Sequence, residues 1–220
     1  MKPVGAENAI EVEVLVVRRE EFPGENKEMR ALESLAARRG DTSSCPGGFG
    51  RRASLLLKLL VSQKCGGGKV QRSEFGKPFI SGQPFCWNLS HDDELACVAF
   101  APAPVGVDVE AIRAADEVRM AALGRAAPEA LCQWVREGST EAERAFRFTL
   151  AWTATEAALK AEGRGFAKAQ GATMGDLARW HYRARAIEGC LVTCACAMPL
   201  SLELRFVNRE EISRAVSAVR

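Results

Sequence analysis

The chain has 220 residues, a hydrophobic share of 47%, a charged share of 26% and a formal net charge of +2. That composition belongs to a folded globular protein long enough for one large domain or two small ones, and it excludes extended disorder. A nearly neutral chain without a dense basic stripe is also a poor general nucleic-acid binder, which needs many cations to displace phosphate counterions.

Ile10 to Val17 alternates apolar residues with Glu11 and Glu13 and reads as a half-buried strand. The apolar run from Val12 to Val17 is broken by Glu13 and lacks the continuous core of a secretion signal. No run approaches the roughly 20 apolar residues that cross a bilayer. The expectation is therefore no membrane, a cytoplasmic location and eight reduced cysteines. Met29, Leu32 and Leu35 recur at helical spacing, with Arg38, Arg39 and Gly40 as a C-terminal signal. Asp41 to Gly50 is a Ser/Gly/Pro-rich loop, and Arg51 to Val61 is a buried helix with leucines on nearly every side.

Short strands follow at Phe85–Leu89, Leu95–Phe100 and Val105–Val109. Helices are expected at Ala115–Leu123, Pro128–Glu137 and Glu141–Glu162, the last ended by Gly163 and Gly165. Two more strands, Cys190–Ala197 and Leu202–Val207, precede a short polar helix. Cys190, Cys194 and Cys196 form C-x3-C-x-C, which lacks the paired spacing and fourth ligand of a zinc site and reads as packed strand cysteines. This mixed order predicts an α+β fold with a boundary near Ala101–Pro104, giving halves 1–101 and 102–220.

Three stretches carry chemistry. In Val107-Asp108-Val109-Glu110, strand alternation projects both carboxylates to one side, where hard oxygen ligands suit magnesium. Taken alone, the pair fits an exposed strand end at least as well. Trp152, Glu156 and Lys160 stack along one helix face, so Glu156 could complete a metal site with Lys160 one turn on; an exposed Glu-Lys pair has the same spacing. Asn88-Leu89-Ser90-His91 closes an apolar strand with groups able to gather around an anion, although His91 could equally cap a turn.

Together and in order, Gly76-Lys77-Pro78, Asn88-Leu89-Ser90-His91, Gly106-Val107-Asp108-Val109-Glu110 and Trp152-x3-Glu156-x3-Lys160-x2-Gly163-x-Gly165 resemble the signature set of the 4'-phosphopantetheinyl transferase superfamily. The length resembles its larger monomeric class, which activates surfactin synthetase. The resemblance implies two similar α+β halves with coenzyme A in the cleft between them, and transfer of its phosphopantetheine to a serine of an apo acyl or peptidyl carrier. By the same resemblance, Asp108, Glu110 and Glu156 are the magnesium ligands, Glu156 is the general base, and Lys160 and His91 meet phosphates. Gly76, Lys77, Pro78, Asn88, Leu89 and Ser90 then line the nucleotide site, with Arg52 or its neighbour Arg51 on the 3'-phosphate. A coenzyme A- or carrier-binding protein without turnover is the alternative.

Two departures stand out: Thr155 replaces a frequent lysine, and Asp92 with Asp93 replaces small residues, adding charge that would weaken phosphate binding unless turned away. Phe166, Met174, Leu177 and Trp180, rimmed by Lys168, Arg179, Arg183 and Arg185, are the expected carrier platform; core packing fits the apolar four equally well.

Overall fold

The computed structural model describes residues 9–22, 30, 32–34, 48–68, 70–74, 76–163 and 174–218. Within the helix expected after Met29, residues 30 and 32–34 are helical. The rest of that helix, most of the following loop, Gly165, Phe166 and Lys168 lie outside the described residues.

Strand β1 (Ile10–Arg18) alternates only at its start. From Val14 to Val17 every side chain is buried, because the strand lies inside a sheet covered on both faces. Its neighbours are β5 (Leu95–Ala101), antiparallel, and β9 (Leu200–Phe206), parallel; β4 (Cys86–His91) completes the order β4-β5-β1-β9. On one face Leu15, Val17, Ala96, Val98 and Phe100 pack against α1 (Phe49–Lys64) and α6 (Arg209–Ser217). On the other, Val12, Val14, Val16, Cys97 and Ala99 meet a second sheet.

That second sheet has the order β6-β8-β7, all antiparallel, from β6 (Val105–Ala111), β7 (His181–Ile187) and β8 (Cys190–Cys196). Cys190, Cys194 and Cys196 are buried in the core between the sheets. Helix α4 (Glu141–Glu162) covers its far face, with α2 (Glu117–Ala126), α3 (Glu129–Arg136) and the short α5 (Met174–Ala178) packed around it. The protein is thus α+β, with two sheets face to face between helical layers. A small hairpin, β2 (Gln71–Arg72) and β3 (Pro78–Phe79), stands beside β4.

Helix α4 has sharp ends. Thr140 caps its start by accepting from the Glu143 amide at 3.1 Å, and Gly163, at φ 85°, ends it in the left-handed conformation that glycine adopts without penalty. Its small residues Ala157 and Ala161 let β6 come very close. A Cβ on Gly106 would stand 1.9 Å from the Ala157 carbonyl oxygen and 2.4 Å from the Ala161 nitrogen. This approach sets Asp108, two residues along β6, beside the last turns of α4.

Strand β7 was not expected from the sequence. Its exposed residues His181, Arg183 and Arg185 alternate with Tyr182, Ala184 and Ala186, but two of those three are alanines, so the apolar stripe of this edge strand is a weak signal.

Candidate active site

Directly opposed residues of an antiparallel sheet share a face. Asp108 opposes Thr193 and Glu110 opposes Leu191, whereas Val107 opposes Cys194 in the core between the sheets. Asp108 and Glu110 therefore look toward α4. There Lys160 Nζ donates to Asp108 Oδ1 at 2.6 Å and to Ser90 Oγ at 3.0 Å, while Ser90 Oγ donates to Asp108 Oδ1 at 2.8 Å. Asn88 fixes the adjacent backbone by accepting from the Val107 amide at 3.0 Å. Three of the sequence blocks thus meet at one node.

Asp108 is 3% exposed, and its second oxygen, Oδ2, is buried with no hydrogen-bond partner among the described residues. Such an orphan acceptor costs on the order of 1–3 kcal/mol and invites a donor or a cation. Burial, with Asp108 and Asp92 adding to it and Arg113 and Lys160 opposing, pushes the Glu110 carboxyl up to about 7. Burial also raises Glu156, against the pull of Lys160 and with the help of Asp108. Burial opposes the charge on Lys160, yet Asp108 and Glu156 hold its ammonium above the usual lysine range.

Asp108 is accordingly the electrostatic neighbour of both other carboxylates. Among the described residues no three His, Cys, Asp or Glu side chains are gathered closely enough to hold a metal ion as they stand. Lys160 supplies the positive charge at Asp108. The hard oxygens and the orphan Oδ2 nevertheless fit a divalent cation, since a cation beside them relieves both the repulsion and the unmet acceptor.

The raised carboxyl of Glu110 has a consequence for stability. Between the ordinary carboxylate value of 4.5 and about 7, the folded state keeps a proton that the unfolded chain has lost. In metal-free buffer this group's contribution is complete below that window and falls as pH rises through it. Glu110→Gln is expected to flatten this part of the stability profile, as read by urea melts across the window; an unchanged slope would assign it elsewhere.

Beside Lys160 opens a cleft of about 300 Å3 lined by Ser54, Lys58, Arg72, Gly76, Lys77, Pro78, Asn88, Leu89, Lys160 and Gly163. Among the described residues the lining contains four cationic side chains and no carboxylate, which makes it receptive to an anion. Six of these residues were expected from the sequence. Lys77 does more than line the wall: its Nζ donates to the Val105 and Ala161 carbonyls at 3.3 and 3.1 Å, tying the hairpin to β6 and α4. Burial lowers its pKa. The His91 ring lies on Gly50, where a Cβ would stand 2.6 Å from Cε1. Partial burial and Lys160 lower the His91 pKa against the opposing effect of Asp92 and Asp108.

Ser54, Lys58 and Arg72 were missed. Ser54 and Lys58 are one helical turn apart on α1, and a stripe hidden among leucines gives no separate signal. Arg51, at i−3 and i−7, shares that stripe. Arg52 is turned away from it and pairs with Glu33 at 3.7 Å.

On the other side of Glu110 a smaller recess of about 160 Å3 is lined by Arg113, Arg119, Ala122, Phe148, Thr149 and Trp152 together with Glu110 and Ala111. Trp152 therefore borders one cavity and Lys160 the other, with Glu156 between them on α4. Of the expected carrier platform, Phe166, Lys168 and the Met174 side chain lie outside the described residues. Leu177 and Trp180 pack with Ala157, Ala158 and Ala195 as core. Arg183 opposes Cys194 and Arg185 opposes Val192, on the face of the sheet turned away from Asp108. Asp92 does not load the cleft with free charge either: its side chain is 3% exposed and paired with Arg113 at 3.1 Å.

No curated protein matches the sequence. Residues 104–198, which hold β6, α4 and the Asp108, Glu110, Glu156 and Lys160 side chains, match the family model of the 4'-phosphopantetheinyl transferase superfamily, to which this stretch is similar.

Proposed function

We propose that this protein transfers the 4'-phosphopantetheine group of coenzyme A to a serine of an apo acyl or peptidyl carrier, releasing adenosine 3',5'-bisphosphate. The observation that carries this reading is the Ser90–Asp108–Lys160 node, which stands between a cation-lined cleft and a group of carboxylates. Residues 1–101 supply most of the nucleotide side and residues 102–220 the carboxylate side, with the cleft between them.

In this reading the cleft holds the adenosine and phosphate end of coenzyme A, with Lys58, Arg72 and Lys160 facing its charge and Arg51, from the same stripe of α1, at the 3'-phosphate. Asp108, Glu110 and Glu156 would hold magnesium, which when bound neutralises the pyrophosphate and makes its phosphorus more electrophilic. Glu156, whose half-buried carboxylate has a raised proton affinity, takes the proton of the carrier serine as its oxygen attacks. Lys160 balances the charge that develops on the leaving phosphate as the phosphorus–oxygen bond breaks. Arg113 and Arg119 beside Trp152, with the exposed Val118 on α2, offer an acidic carrier both charge and an apolar contact. The working unit is a cytoplasmic monomer.

Intact-mass analysis of an apo carrier incubated with the protein, coenzyme A and magnesium tests the whole reading. A gain of one phosphopantetheine is expected. Coenzyme A binding without mass gain would instead mark a binding protein that does not turn over. Glu156→Gln is expected to slow transfer about 10²- to 10⁴-fold while the melting temperature is retained. Full activity in that variant would remove Glu156 from the proton transfer.

A further inference from the structure

Asn88, Ser90 and Asp92 alternate along the end of β4 and the turn behind it, and all three reach across to β6. The two strands belong to different sheets, so no backbone ladder joins them. Side chains do so instead. Asn88 Oδ1 accepts from the Val107 amide, Ser90 Oγ donates to Asp108 Oδ1, and Asp92 Oδ2 accepts from the Ala111 amide at 2.5 Å. The first two contacts hold Val107 and Asp108; the third fastens the residue that follows Glu110.

Glu110 is therefore suspended between two clamped positions. A carboxylate as buried as Asp92 needs hydrogen bonds and a counter-charge, and it has both. Arg113 Nη2 reaches its two oxygens at 3.1 and 3.4 Å, and the Asp93 amide also donates to it. Arg113 is itself tied toward α4, its amide donating to Thr149 Oγ1 at 3.4 Å. Asp93, whose side chain is 81% exposed, adds only a marginal contact to Arg113.

We propose that Asp92, neutralised by Arg113, is a positioning residue for Glu110: its bond to the Ala111 amide holds the end of β6 to the first sheet and keeps the Glu110 carboxylate beside Asp108 for a divalent cation. This rests on the assignment of Glu110 as a cation ligand. An outer residue that orients a ligand is commonly worth 10- to 100-fold in metal affinity. The opposite expectation, that an aspartate after Ser90-His91 harms the site by its charge, overlooks that this charge is buried and paired.

The test compares the full-length wild type with Asp92→Ala and Asp92→Asn, following Mn2+ binding by calorimetry with and without coenzyme A, and hydrogen exchange at the Ala111 amide. Asp92→Ala is expected to expose that amide and to weaken Mn2+ binding about tenfold or more. Asp92→Asn keeps an oxygen for the amide and is expected to recover most of both. In the transfer assay the alanine variant is expected to need more magnesium while its rate at saturating metal is largely kept. Wild-type affinity and wild-type amide protection in Asp92→Ala overturn the proposal and leave Glu110 as a ligand. Absence of Mn2+ binding by the wild type overturns the ligand assignment, and this proposal with it. Should Asp92→Ala not fold, Arg113→Gln decides the matter: weaker Mn2+ binding supports the clasp, and unchanged binding overturns it.

Discussion

Gly106→Ala is expected to destabilise the protein by more than about 3 kcal/mol, the upper range for forcing one extra carbon into a packed interior. The atoms in the way are the Ala157 carbonyl and the Ala161 amide nitrogen, which are helix backbone and cannot swing aside as a flexible side chain would. Relief requires β6 and α4 to separate along their length. Separation would also pull Asp108 from Lys160, so carrier modification should fall with stability. Urea denaturation of the variant reads the first effect; a loss below about 1 kcal/mol would mean that the helix can retreat without cost to the core.

The second large effect concerns the ion pair. Among the described residues, Lys160→Met removes the only charged group bonded to Asp108 Oδ1 and leaves a nearly inaccessible carboxylate with Ser90 as its one remaining donor. Breaking a buried pair from one side costs about 3–5 kcal/mol, because the surviving charge stays desolvated. Removing that charge too should be far milder. Asp108→Asn combined with Lys160→Met is therefore expected to recover much of the stability, while carrier modification stays lost in both. If the double variant were no more stable than Lys160→Met, the cost would lie in packing and not in stranded charge.

Local pattern made much of the fold readable. The helix at 141–162 followed from a run of good helix formers and its terminal glycines, signals spoken by neighbours in the chain. Strands β4, β5, β6 and β8 followed from short apolar runs between turn residues. Strand β1 was legible as a strand but not as a central one, since burial on both faces depends on what lies above and below it. Strand β7 was missed although it alternates, because Ala184 and Ala186 give its inner side little apolar area beside Arg183 and Arg185. Of the candidate site, Asp108, Ser90 and Lys160 were legible and meet directly. Lys58 and Arg72 were not, because a lysine inside a leucine-rich helix and an arginine in a two-residue strand acquire meaning only when a cleft opens between them.

By itself the sequence determined which residues are apolar on which side of each element, where α4 begins and ends, and which polar groups were available for chemistry. Only the tertiary structure decided that β9 pairs in parallel with β1, with Ile10 opposite Leu200, and that Asn88, Ser90 and Asp92 lace one sheet to the other. It alone turned Arg183 and Arg185 away from Asp108. The reason is one of range: periodicity records the two faces of a single helix or strand, whereas partner and register are fixed by burying those faces against segments distant in the chain.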